Sequence, residues 1–219
     1  MNKNQDEYIS PLKYRWLTSL YDALLYFALR ESTFKASLVE QSQTENGHRV
    51  LDVGCGTGTL TLLIKKAQPE AEVIGIDGDR KVLDIAKKKV GKADLDVTLD
   101  YGMAFDLPYP DGSFDRVFSS LLFHHLTREN KVGTLKEIFR VLRPGGELHV
   151  ADLGKPHNWI MSVAFLSVRM LDGFKTTADN INGLLPVLFG YAGFEDIQQS
   201  RRYMTMCGTL DLYKAVKPG

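Results

Sequence analysis

Val50-Leu51-Asp52-Val53-Gly54-Cys55-Gly56-Thr57-Gly58 is the stretch that decides the fold. A short apolar run enters three glycines spaced G-x-G-x-G, and helical periodicity begins after them. Glycine allows a tight turn and lets a ligand approach the backbone with no Cβ in the way. The spacing differs from the dinucleotide fingerprint G-x-G-x-x-G and from the phosphate loop G-x-x-x-x-G-K-[ST]. No lysine stands at the helix start to meet a phosphate. The next apolar run ends in Gly75-Ile76-Asp77, which sets a carboxylate 19 positions after Gly58. At the carboxyl end of a second strand, such a carboxylate can accept hydrogen bonds from the paired hydroxyls of a ribose.

Outward from this point the chain alternates short apolar runs with amphipathic stretches. Strands are expected at Arg49–Val53, Glu72–Ile76, Asp96–Asp100, Phe114–Ser119 and Glu147–Ala151. Helices are expected at Thr57–Ala67, Asp79–Val90 and Glu129–Leu142, the last stopped by Pro144-Gly145-Gly146. That rhythm predicts an α/β fold with a mostly parallel sheet covered on both faces. Glu195–Arg201 and Met204–Ala215 read as two further strands joined in a hairpin, so one of them runs antiparallel to the rest.

Before the sheet, Ser10-Pro11 reads as a helix start, followed by Leu12, Trp16, Leu20, Leu24 and Phe27 at helical spacing. After the fifth strand, Trp159–Leu171 is apolar and helical, Asp172–Ala178 is a polar break, and Asn182–Ala192 is again helical despite Pro186. One domain is expected: a helical N-terminal cap over 1–47, a core over 48–152, a covering insert and helix over 153–193, and a C-terminal hairpin over 194–219.

Composition narrows the function. The 219 residues include 27 Lys plus Arg and 27 Asp plus Glu, and they carry no basic patch, which argues against nucleic acid as a partner. The two cysteines, Cys55 and Cys207, form no disulfide framework, and no Cys/His cluster has zinc-ligand spacing. The polar start lacks a secretory signal, and the longest apolar segment is broken by Arg169, so no integral membrane segment is expected and a cytoplasmic location is the default.

With these motifs in order, the chain resembles the class I S-adenosylmethionine-dependent methyltransferases, closely over about residues 48–152. Leu107-Pro108-Tyr109-Pro110-Asp111-Gly112-Ser113-Phe114-Asp115 resembles the family stretch before the fourth strand. Phe139-Arg140-Val141-Leu142-Arg143-Pro144-Gly145-Gly146 resembles its connection into the fifth. The set is most similar to small-molecule and quinone-type C-methyltransferases. The Pro-Pro-Tyr or Pro-Cys of base methylation is absent after the fourth strand, where Ser119-Ser120-Leu121-Leu122-Phe123-His124-His125-Leu126 stands.

The resemblance implies a Rossmann-like seven-stranded sheet, S-adenosylmethionine as cofactor and S-adenosylhomocysteine as product. It places Gly54, Cys55 and Gly56 against the methionine part with Asp52 beneath the loop. Asp77 meets the ribose, Gly78 lies beside the adenine, and Ser119, Ser120 and Leu121 line the sulfonium end. Met103-Ala104 stands where the family has Asp-Ala, so the adenine amino contact is replaced by packing, with the Ala104 backbone on the ring. Tyr21, near Tyr14 and Asp22 on the N-terminal helix, is the expected lid over the sulfonium.

Methyl transfer needs a base only when the nucleophile must lose a proton. His124 and His125 are the candidates, and adjacent side chains point different ways, so one of the two is expected to serve. Asp172, Lys175, Asp179 and Asn180 are candidates for polar specificity at the rim of the acceptor site. Cys55 reads as packing. The expected acceptor is a small apolar or aromatic metabolite. The alternatives are a lipid or quinone precursor at the membrane surface, a non-catalytic S-adenosylmethionine-binding protein and, disfavoured by the glycine spacing, a nicotinamide dehydrogenase.

Overall fold

The structure, a computed structural model, describes residues 31–156, 174–205 and 208–219. The expected helix bearing Tyr14, Tyr21 and Asp22, the apolar segment Trp159–Leu171, Asp172 and Cys207 lie outside the described residues, as does the side chain of Lys175.

Strands β1 (Arg49–Val53), β2 (Glu72–Asp77), β3 (Thr98–Tyr101), β4 (Phe114–Ser120), β5 (Leu142–Leu153), β6 (Glu195–Thr205) and β7 (Gly208–Val216) form one sheet in the order β3-β2-β1-β4-β5-β7-β6. The first five pair in parallel. β7 is antiparallel to both β5 and β6. The chain returns across the sheet between β3 and β4, so the connections leaving the paired strands β1 and β4 lead to opposite edges of the sheet, the place where open α/β sheets form a crevice for ligands.

Side-chain alternation splits the core in two. Leu51, Val53, Ile76, Val117 and Val150 face one side with Leu135, Ile138 and Phe189. Val50, Val73, Phe118 and Ala151 face the other with Phe34, Leu38, Leu60 and Ile64. The helices supplying these partners are α1 (Glu31–Ser42) and α2 (Thr59–Ala67) on the second side, and α4 (Arg128–Val141) and α6 (Leu185–Tyr191) on the first. Apolar residues on both sides of β1 are what its continuous apolar run predicts. Helix α3 (Arg80–Ala93) is capped by Asp79, whose carboxylate accepts from Lys81 N at 2.8 Å.

Several boundaries differ from expectation for identifiable reasons. Helix α2 starts at Thr59 rather than Thr57, because Gly58 sits in the left-handed region at φ 74°. Strand β5 begins already at Leu142 and runs through Pro144-Gly145-Gly146, with Gly145 at φ 74° and a register shift against β4. Strand β6 runs on to Thr205, pairing Arg202 with Asp211 and Met204 with Thr209, so the hairpin turns later than Arg201. Pro186 stands in the first turn of α6, where its missing N–H breaks no hydrogen bond.

The largest correction is the polar break expected at Asp172–Ala178. Phe174–Ile181 is a helix, α5. Among its described side chains Thr176, Thr177, Asp179 and Asn180 are buried, so polarity here marks a buried helix face and not a break.

Candidate active site

The glycine loop is held from below by main chain and carboxylate. Gly54, Gly56 and Gly58 all take positive φ, 72°, 53° and 74°. Gly54 N and Cys55 N donate to Ile76 O at 2.9 and 3.0 Å. Asp77 does more than face a ligand: its Oδ2 accepts from Gly56 N and its Oδ1 from Asp79 N, both at 2.8 Å. Each oxygen keeps a lone pair, so a pair of ligand hydroxyls still finds acceptors. Burial raises the Asp77 carboxyl above the usual range, opposed by the N–H groups of Asp79 and Gly56. A Cβ on Gly56 would meet nothing within 4 Å, so this glycine opens onto free space.

A cleft of about 340 Å3, its open mouth included, lies beside the loop. Of the expected residues, Gly54, Asp77, Gly78, Met103 and Ala104 line it. So do Ile76, Gly102, Phe105, Leu122 and Leu126, which the motifs did not single out. Met103 lies against Gly78, where a Cβ would stand 2.8 Å from its sulfur. Leu121 lies outside this lining. Its φ of 58° turns the chain at the end of β4, and the following Leu122 lines the cleft instead.

Asp52, Cys55, Gly56, Ser119 and Ser120 are also absent from that lining. Asp52 is fully buried; its Oδ2 accepts from Thr61 Oγ1 at 2.6 Å, while Oδ1 has no partner. Burial pushes its carboxyl up to about 6. A raised carboxyl favours the native state below its unfolded value and loses that advantage as pH rises through the folded value. Asp52→Asn is therefore expected to be neutral near pH 4 and to stabilise the protein at pH 8 by about 3 kcal/mol. Thermal unfolding across pH 4–8 checks this; a constant difference between the two proteins overturns it.

Ser119 Oγ and Ser120 Oγ are buried without partners. Burial pushes the Cys55 thiol well up, with Asp52 adding to the shift. Cys55 is thus expected to resist alkylation at neutral pH until the protein is unfolded, as peptide mapping after iodoacetamide treatment would show. Rapid labelling of the folded protein would contradict this reading.

Past β4, Phe123–His125 forms a 3-10 turn between the cleft residues Leu122 and Leu126. His124 Nδ1 lies 2.8 Å from Asp152 Oδ1 at the end of β5. Asp152 also accepts from Phe123 N and Leu153 N at 2.7 Å and from Asn180 Nδ2 at 3.0 Å. This network orients the imidazole of His124. The His125 ring, 4.0 Å away centre to centre, is held well below the usual histidine range by burial and then by His124.

Asp152 is not among the expected residues, although an acidic residue ending an apolar strand is a usable signal. The expected rim residues Asp179 and Asn180 prove to be buried. Asp179 pairs with Arg128 and Lys131, and Asn180 with Asp152.

A parallel sheet that reverses between β1 and β4, a glycine loop latched by Asp77 and a cleft beside it define a class I S-adenosylmethionine-dependent methyltransferase. The family model described as a methyltransferase domain matches residues 50–146. The chain is 31% identical over 204 residues to the uncharacterized methyltransferase sll0829 of Synechocystis, covering 93% of this chain and 92% of that one. It belongs to this methyltransferase family, whose cofactor is S-adenosylmethionine.

The demethylmenaquinone methyltransferase of Symbiobacterium thermophilum is 32% identical over 169 residues, 74% of this chain and 66% of its own, so this chain spans just under two thirds of that relative. A Haemonchus contortus phosphoethanolamine N-methyltransferase solved with S-adenosylhomocysteine superposes with a TM-score of 0.70 at 19% identity, covering 85% of this chain and 53% of that chain. No helix among the described residues is long and apolar enough to cross a membrane.

The residues present fit the cofactor. Gly54 and Gly78 line the cleft without side chains, Asp77 keeps a lone pair on each oxygen, and Ile76, Met103 and Phe105 form an apolar wall.

Proposed function

We propose that the chain methylates a small hydroxylated aromatic acceptor of the quinol type. The observation that carries this reading is the His124–Asp152 pair, set in a turn whose flanking residues line the cofactor cleft. A phenol or enol nucleophile must lose a proton as its bond to the methyl carbon forms, and a positioned histidine is the usual group to take it. With Nδ1–H donated to Asp152, the lone pair of His124 is at Nε2, and the carboxylate stabilises the imidazolium that results. The relatives named demethylmenaquinone methyltransferases support the acceptor class.

S-adenosylmethionine supplies a methyl group on a sulfonium whose leaving group is neutral, so the protein's work is alignment, exclusion of water and proton removal. In this reading Gly54 and Gly56 bring main chain to the methionine part. Asp77 takes the ribose hydroxyls, Gly78 and Met103 hold the adenine, and the Ala104 backbone meets the ring edge.

The test is calorimetric titration with S-adenosylmethionine, S-adenosylhomocysteine and NADH, followed by labelled methyl transfer to a naphthoquinol and to its dimethyl ether. The two adenosyl compounds are expected to bind and NADH not to, with label entering the free quinol alone. Equal labelling of the ether, or of neither, would overturn the acceptor assignment.

A further inference from the structure

Helix α5 buries four polar residues among its described side chains: Thr176, Thr177, Asp179 and Asn180. It is seated on α4 by a fully buried lysine, Lys131, which donates to Thr176 O at 2.5 Å and lies 3.4 Å from Asp179 Oδ2. Arg128 adds a second cation on Asp179, with Nε at 3.0 Å. Polar contacts of this kind hold one geometry closely, since each buried donor left without an acceptor is costly.

Asn180 carries this seating to the reaction centre. Its Nδ2 donates to Asp152 Oδ1 and to Leu153 O, both at 3.0 Å. Two acceptors on one side decide which way the amide faces. Its Oδ1 is buried with no partner, a cost the residue carries for the sake of those two bonds.

We propose that Asn180 is a positioning residue: it fixes the carboxylate of Asp152 from α5, and through it the orientation and basicity of His124. The inference rests on the His124–Asp152 pair acting as the base. An N–H bonded to the carboxylate disperses its negative charge and weakens its hold on the imidazolium. Loss of that bond therefore makes His124 more basic.

Other groups bear on the same pair. His125 lies in the same turn, Lys131 and Arg128 come from α4, and Asp179 from α5. From β7, Asp211 pairs in register with Asp152, and Tyr213 senses its charge. These stay constant across the variants below.

The experiment is the pH titration of the His124 imidazole, followed by long-range 1H–15N correlation in the full chain without acceptor. In Asn180→Leu the midpoint is expected to rise by about one pH unit, the scale of one hydrogen bond to a charged group. In an Asp152→Asn background the same substitution is expected to shift nothing, because the effect runs through the carboxylate. An unmoved midpoint in the single variant, or an equal shift without Asp152, overturns the proposal. If Asn180→Leu fails to unfold cooperatively, Asn180→Ser, too short to reach Asp152, takes its place. Failure of the base assignment is separate: it would show as full turnover in His124→Ala, whatever Asn180 does to the titration.

Discussion

His124→Ala is expected to lower the rate of methyl transfer about 10²–10⁴-fold, the range for loss of a positioned base. Affinity for S-adenosylmethionine is expected to stay within about twofold, since His124 stands outside the cleft lining while its neighbours Leu122 and Leu126 form part of it. Asp152 keeps the N–H groups of Phe123, Leu153 and Asn180 in the variant, so the buried carboxylate is not stranded. Asp152→Asn is expected to lose activity too, because an amide holds the imidazole less firmly and does not stabilise its cation. His125→Ala is the control. Its ring is half-buried and held well below the usual histidine range, and Asp152 bonds the His124 ring, so turnover is expected to persist. Single-turnover rates with calorimetric affinities for all three variants check the assignment; a fast His124→Ala enzyme would remove it.

Asp77→Ala is expected to weaken S-adenosylmethionine binding about 10²-fold. One or two hydrogen bonds from ribose hydroxyls to a carboxylate account for roughly 1.5–3 kcal/mol, and each 1.4 kcal/mol is tenfold. The structure adds a second effect to this loss. Asp77 also holds Gly56 N and Asp79 N, so its removal frees the glycine loop and the entry to α3. The variant is therefore expected to melt at a lower temperature even without ligand. Asp77→Asn, which keeps one carbonyl oxygen, should fall between the two proteins in both measurements. Calorimetric titration and thermal unfolding check this. Unchanged affinity together with lowered stability would reduce Asp77 to a loop latch.

The cofactor half of the site was legible because its residues are neighbours in sequence. A glycine loop needs its spacing, and the acid after the second strand needs its distance from that loop. Both are local constraints that a linear reading captures. The mostly parallel sheet with its antiparallel C-terminal hairpin followed as well, since short apolar runs alternate with helical stretches. Leu122 shows where this stops. With Leu121 at φ 58° ending β4, the fold puts Leu122 in the lining of the cleft, which no local spacing marks.

The acid–base half was half visible. His124 and His125 stood out as a pair, but nothing in the sequence separates them. The separation comes from Asp152, 28 residues away, which reaches one ring and not the other. Helix α5 was misread for a related reason. Asp179 and Asn180 are buried polar residues whose partners, Lys131, Asp152 and the Leu153 carbonyl, only the folded chain brings near.

The sequence by itself determined the sheet, the loop and the cofactor class, because those depend on periodicity and short spacing along the chain. Tertiary structure alone decided which histidine Asp152 reaches, what Asp77 holds besides a ligand and where α5 is seated. Each of these rests on a hydrogen bond between residues distant in sequence, formed where burial excludes the water that would otherwise compete.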